Sequence, residues 1–309
     1  MSTIRSFNIS PNDAGQRMDR FVQKVTHEFP RSLMFKSFRN GLIRLNGKKT
    51  KPDQQLQVGD EVSLRIYDEF LKKEVNWEFL EVPAHIDVLY EDEHLLLVDK
   101  PSGLLTHKDS NHIQDNLLDR ALHYLYQKGH FDPATEHSFV PSTVNRLDRN
   151  TRGIILVAKD FPSLQMLAEK IRHREIARLY LAHVQGQVQK KQEVLKGFHT
   201  KDEADNLATI TEREGPNSRP VETRYRVLQS TPDSSLLEVN LITGRSHQIR
   251  AHFASIGHPL INDSKYGYAG PRRFDQALVA YKVCFDFQES AGHLEYLRGQ
   301  CYSLKNLEI

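Results

Sequence analysis

The chain has 309 residues, 39% of them apolar and 27% charged. It is too hydrophobic for disorder and longer than the commonest single domain, so two domains are expected. A net charge of +2 and a pI of about 8.4 exert little whole-molecule pull on nucleic acid, so the distribution of charge matters more. Two cysteines, Cys284 and Cys301, look too few and too far apart for a disulfide framework or a zinc ribbon, which suits a reducing cytosol. The opening MSTIRSFNIS lacks a signal-peptide apolar core. No run approaches the roughly 18 apolar residues of a membrane span, so a soluble, cytoplasmic protein with no membrane partner is expected.

From residue 7 to about 67 the pattern predicts a compact module. It has amphipathic stretches over 18–25 and 33–38 and then short strands, with Asn40-Gly41 and Asn46-Gly47 as turn dipeptides around Leu42-Ile43-Arg44-Leu45. Between Arg31 and Lys51 stand seven Lys or Arg and no acid. Such a one-sign cluster is what a surface tracking phosphates needs, and equally what a solvated basic face looks like. Residues 68–84 are of mixed charge without glycine, close with Pro83, and read as a linker. A second domain is expected over 85–309, beginning with two short strands in 86–90 and 95–98. Further strands are predicted near 154–158, 179–184, 222–228 and 236–241, and helices near 115–127, 161–173 and 246–256. This irregular alternation predicts an α+β fold with a mixed, mostly antiparallel sheet flanked by helices. Residues 190–220 read as long loops or an exposed hairpin, and no internal repeat is evident.

Three constellations could carry chemistry. The first, Asn145-Arg146-Leu147-Asp148-Arg149-Asn150-Thr151-Arg152-Gly153, is a polar loop feeding the apolar run Ile154 to Ala158, which reads as a buried strand. A carboxylate at a sheet rim among three arginines is suited to adding to an electrophilic carbon or facing a cationic sugar. Taken alone, it reads first as a structural ion pair. The second is Thr243-Gly244-Arg245-Ser246-His247-Gln248-Ile249-Arg250-Ala251-His252, a sharp turn entering a helix that Gly257 closes. It places Arg245 and Arg250 near helix N-terminal amides that favour anions. His247 and His252 have no Cys or carboxylate at ligand spacing, and no metal site is expected. The third is Tyr180 in a strand-like run, which alone says little. GLIRLNGKK at 41–49 is a failed P-loop, with five residues between its glycines and Lys49 where Ser or Thr belongs. Neither a dinucleotide fingerprint nor a zinc-deaminase signature is present.

In this order, and with Lys100-Pro101-Ser102-Gly103 ahead of them, the constellations resemble the RluA family of pseudouridine synthases. The family's H-R-L-D-x-x-T-S-G stands here as N-R-L-D-R-N-T-R-G, and its G-R-T-H-Q-[IL]-R as residues 244–250, followed by Gly257-His258-Pro259, Asp263 and Tyr266-Gly267. The first module resembles an S4 RNA-binding domain, through residues 15–21, Asn46-Gly47-Lys48 and Gly59-Asp60. Two departures stand out: Asn145 for the usual histidine and Arg152 for the usual serine. Arg178, two residues before Tyr180, replaces a common lysine. The S4-like module and Arg219-Pro220-Val221-Glu222-Thr223 look closest to the branch that modifies large-subunit ribosomal RNA.

The resemblance implies isomerisation of uridine to pseudouridine in a structured RNA, with no cofactor and no obligate protein partner. Asp148 is the implied catalytic carboxylate, Arg245 its expected ion-pair partner, and Tyr180 the residue that stacks on the uracil and helps remove the C5 proton. Arg31, Lys36, Arg39, Lys48, Lys49, Lys51, Arg146, His247 and Arg250 are the expected RNA contacts. Transfer RNA as substrate, and a non-catalytic RNA-binding assembly factor, are the alternatives.

Overall fold

The computed structural model describes residues 2–71, 75–109, 115–202, 204–271, 275–305 and 307. The chain forms two compact units: one comprises residues 1–85, 119–142 and 157–166, the other residues 86–118, 143–156 and 167–309.

The first unit begins with β1 (Ser2–Asn8), α1 (Met18–Val25), α2 (Arg31–Arg39), β2 (Ile43–Leu45), β3 (Lys48–Lys49), β4 (Glu61–Tyr67) and the short α3 (Asp68–Leu71). Its sheet runs β1-β4-β2-β3, antiparallel throughout. Met18, Phe21, Val22 and Val25 fall on one helical face and are buried, packing with Met34, Phe38, Ile43 and Leu64. Each such side chain contributes roughly 1.5–3 kcal/mol on burial, and these residues hold the module together. Asn46 and Gly47 both have positive φ, 50° and 73°. This is the backbone a tight two-residue hairpin requires between β2 and β3. Arg31, Lys36, Arg39, Lys48, Lys49 and Lys51 are all exposed. Residues 68–84, read from the sequence as a linker, carry α3 and a 3₁₀ helix at Glu78–Glu81. Leu71 joins the core and Phe79 is buried, because apolar side chains are interspersed in the charged run; residues 72–74 lie outside the described residues.

The second unit is built on one sheet. In chain order the remaining elements are β5 (Asp87–Glu91), β6 (Leu95–Lys100), α4 (Leu117–Gln127), β7 (Ser142–Thr143), β8 (Arg152–Ala158), α5 (Phe161–Arg172), β9 (Ile176–Gln185), β10 (Gln192–Asp202), β11 (Leu207–Thr211), β12 (Arg219–Ser230), β13 (Ser234–Leu241), α6 (Gln248–Ser255), β14 (Leu278–Phe285) and β15 (Cys301–Ser303). Most of α4 and the start of α5 belong to the first unit. The strand order is β11-β10-β12-β13-β9-β14-β8-β6-β5, with β15 on β14 and β7 on β8. From β11 to β14 every pairing is antiparallel, whereas β14 and β8 run parallel. The fold is thus α+β with a mixed, mostly antiparallel sheet. Residues 190–220 contain the β10–β11 hairpin and the start of β12.

The runs Leu95–Val98 and Ile154–Ala158 are buried on both faces, which is why they read as continuous apolar stretches with little alternation. Where β8 meets β14, Gly153 has φ 138°, and a Cβ there would stand 2.3 Å from the Ala280 carbonyl oxygen. Only glycine permits this approach. The cysteine expectation is corrected. Cys284 and Cys301 are in register on β14 and β15 and form a disulfide despite a separation of 17 residues. Antiparallel return of the chain brings them together, so the cysteine count no longer argues for a reducing compartment. No helix among the described residues is long and apolar enough to cross a membrane.

Candidate active site

Asp148 lies in the loop that feeds β8, and that loop is fixed from several directions. Asn145, buried, donates from Nδ2 to the Ile154 carbonyl at 3.2 Å and accepts from the Leu156 N–H at 2.8 Å. Its amide side chain therefore acts as a length of strand backbone pairing with β8, which is the structural role of the departure noted at this position. The Thr106 hydroxyl donates to the Leu147 carbonyl at 3.0 Å. The fully buried Lys100 donates from Nζ to the carbonyls of Leu104 at 2.7 Å, Pro101 at 2.9 Å and Arg149 at 3.0 Å. Burial draws this ammonium down to about 8. Arg152, the second departure, points away to a two-nitrogen ion pair with Asp99 on β6, at 3.1 and 2.8 Å.

The second wall is the turn into α6. Gln248, buried, organises it: its Oε1 accepts from the Arg245 N–H at 3.1 Å and the Thr243 hydroxyl at 2.8 Å. Its Nε2 donates to the Glu222 carbonyl at 3.1 Å and Thr223 Oγ1 at 2.9 Å. His247 caps the helix in the left-handed region, φ 54°. The first turn of α6 then brings the Arg250 guanidinium to Asp148, Nη1 to Oδ2, at 3.1 Å. Arg250 also grips Asp263 with two bonds, of 2.6 and 2.9 Å, and lies over the Tyr266 ring at 4.7 Å. Burial works against the charge on Arg250, but the Asp263 hydrogen bond and the Asp263 and Asp148 charges outweigh it and raise its pKa.

The two walls and β9 form an open cleft lined by Arg146, Leu147, Asp148, Thr151, Tyr180, Leu241, Arg245, His247, Gln248, Ile249, Arg250 and Leu278. Tyr180 is buried, and burial raises its hydroxyl above the usual tyrosine range, with the Arg178 charge opposing and the Asp148 charge reinforcing the shift.

Of the residues picked out by sequence, Asp148, Tyr180, Arg146, Arg245, His247 and Arg250 converge on this one cleft. Two assignments change. The partner of Asp148 is Arg250, not Arg245: helix α6 begins only at Gln248, so residue 245 lies in the turn with its side chain exposed on the cleft lining. Arg250, expected on RNA, is instead buried between two carboxylates. His247, also expected on RNA, sits with Nε2 3.9 Å from Asp148 Oδ2. Asp263, Tyr266 and Lys100 were visible as motif positions, but nothing in their spacing tied them to Asp148. Gln248 gave no signal beyond its place in the motif. The six expected RNA contacts in the first unit, Arg31, Lys36, Arg39, Lys48, Lys49 and Lys51, are exposed but belong to a different compact unit.

The site thus brings an arginine-paired carboxylate and a buried tyrosine to the lining of one cleft. The family model for RNA pseudouridylate synthase matches residues 94–255, and the chain belongs to that family of RNA-isomerising enzymes. It is 33% identical over 280 residues to the ribosomal large subunit pseudouridine synthase C of Escherichia coli, covering 90% of this chain and 83% of that protein. It is 32% identical over 284 residues to the synthase of the same name from Vibrio parahaemolyticus, covering 89% and 84%. Among solved structures, human RNA pseudouridylate synthase domain containing 4 shares the fold, with a TM-score of 0.55, 22% identity, and 71% of this chain and 88% of that one covered.

Proposed function

We propose that this enzyme isomerises uridine in large-subunit ribosomal RNA, in the cytoplasm, with Asp148 acting at C1′ of a flipped-out nucleotide. The observation that carries the reading is the Asp148–Arg250 ion pair in a cleft that also contains Tyr180. The printed names of the bacterial relatives support the ribosomal substrate.

The reaction breaks the N1–C1′ bond and forms a C5–C1′ bond; the C5 proton leaves and N1 gains one, so no atom is added or lost. Asp148 attacks C1′ or faces the positive charge that develops there, as a glycosidase carboxylate does. The detached uracil must be kept while it turns, and the walls of Leu147, Leu241, Ile249 and Leu278 hold it away from water. Tyr180 stacks on the base and assists removal of the C5 proton. Arg146 and Arg245, exposed on the cleft lining, contact the phosphates of the extruded nucleotide. Extrusion costs about a few kcal/mol, which favours an unpaired target. The S4-like basic face, with Arg31, Lys36, Arg39, Lys48, Lys49 and Lys51, supplies salt-sensitive grip on the RNA.

The test is incubation with unmodified large-subunit ribosomal RNA transcript and mapping of pseudouridine by chemical adduct and reverse transcription. Wild-type protein should modify defined uridines and Asp148→Ala none; activity surviving Asp148→Ala removes the aspartate from this role.

A further inference from the structure

His247 is held in the left-handed region, a conformation that costs a non-glycine residue and persists only where its surroundings impose it. Its ring makes two contacts. Nδ1 lies 2.9 Å from the Tyr266 hydroxyl, and Nε2 lies 3.9 Å from Asp148 Oδ2. The Tyr266 hydroxyl already accepts from the Ala208 main-chain N–H on β11 at 2.9 Å, and its ring is packed against Ala208 and Ala251.

A phenol has a single proton to give. Its oxygen accepts from the amide, and the imidazole is the only acceptor its O–H meets among the described residues; with that proton given to Nδ1, the ring proton resides on Nε2, facing Asp148. Burial keeps the ring neutral by lowering its pKa, with the Asp148 charge opposing and Arg250 and Lys265 assisting; Asp263 is the remaining charge that bears on it. Arg250 Nη1 and His247 Nε2 both converge on Oδ2 of Asp148, and no hydrogen bond among the described residues reaches Oδ1. A shift of about 1 Å brings Nε2 within hydrogen-bond distance of Oδ2.

We infer that His247 is a positioning residue for the isomerisation: a neutral Nε2–H, its tautomer set by Tyr266, that with Arg250 secures Oδ2 and leaves Oδ1 as the oxygen presented to C1′. The inference rests on the proposed role of Asp148. It also makes the β10–β11 hairpin, through Ala208 and Tyr266, part of what positions the catalytic carboxylate.

The experiment measures single-turnover pseudouridine formation on unmodified ribosomal RNA transcript, and RNA affinity separately, for His247→Leu, His247→Gln and Tyr266→Phe. Glutamine can offer an amide N–H near the place of Nε2–H; leucine cannot. The expected result is a rate loss of about 10- to 100-fold for His247→Leu with affinity within about twofold. His247→Gln should recover to within about fivefold, and Tyr266→Phe, which frees the tautomer, should fall between them. Nitrogen NMR of histidine-labelled full-length protein, assigned by the His247→Gln difference, should show the Nε2–H form, and it decides the matter even if the leucine variant fails to fold. An Nδ1–H ring, a glutamine variant as slow as leucine, or a loss confined to RNA affinity overturns the inference. Activity in Asp148→Ala would instead overturn the reading beneath it.

Discussion

Replacing Arg250 by methionine separates the two tasks of this guanidinium. Arg250 is 8% exposed and Asp263 3%. Arg250→Met therefore strands the Asp263 carboxylate in the interior without the bonds of 2.6 and 2.9 Å that satisfied it. Removing one member of a buried pair costs about 3–5 kcal/mol, chiefly through the charge left behind. Asp148 is more exposed and loses a single bond, so it adds little to that figure. Adding Asp263→Asn removes the stranded charge, and the double variant should recover to within about 2 kcal/mol of wild type. Activity should not follow stability. Asp148 lacks its partner in both variants, and a loosely held catalytic group costs on the order of 100-fold in rate. Urea unfolding followed by circular dichroism gives the first quantity, and single-turnover assays on ribosomal RNA transcript the second. A double variant that regains both stability and wild-type rate would show that Arg250 serves only Asp263. A single variant less than about 1 kcal/mol down would refute the burial argument itself.

Gly153→Ala should destabilise by about 2–5 kcal/mol, since a Cβ 2.3 Å from the Ala280 carbonyl oxygen forces β8 from β14 and the backbone is at positive φ; urea midpoints within 0.5 kcal/mol of wild type would contradict it. Replacing Lys48 and Lys49 by alanine should lower the slope of log affinity against log salt by about 1.4–1.8, with pseudouridine formation at saturating enzyme unchanged; binding titrations at several salt concentrations measure it. Burial holds His252 at about 4, with His199 adding to the effect, whereas an unfolded chain takes up that proton near 6.5. Unfolded protein thus binds the proton first, and stability should fall by about 3 kcal/mol as pH drops from about 6.5 to 4. In His252→Asn that part of the pH dependence should vanish from urea titrations.

The elements that were legible are those whose signal is local. Met18, Phe21, Val22 and Val25 announce α1 by spacing, and Ile154 to Ala158 announces β8 by length and β-branching. The place of Asp148 at the mouth of that strand was legible from its loop, whereas its singling out as a catalytic candidate came from the family motif. The choice between Arg245 and Arg250 was not, because it turns on where α6 starts. His247, in the left-handed region, delays the helix to Gln248 and decides which arginine reaches the carboxylate. The disulfide depends on the register of β14 with β15 across a 3₁₀ helix at Gly292–Leu297, a pairing no periodicity encodes. The grouping of residues 119–142 and 157–166 with the N-terminal unit is likewise a matter of tertiary contact. Asn145 was visible as a departure, yet its pairing with Ile154 and Leu156 appears only in three dimensions.

Lys100 clamps the Asp148 loop through the main-chain oxygens of Pro101, Leu104 and Arg149. Carbonyl groups are common to every amino acid, so the clamp is indifferent to which side chains those positions carry. Outward-facing positions such as Asn150 are therefore free to diverge, and the set of nucleotides admitted can change while the carboxylate keeps its place. Retargeting the enzyme to a new RNA is best begun at such positions, with the lysine left untouched.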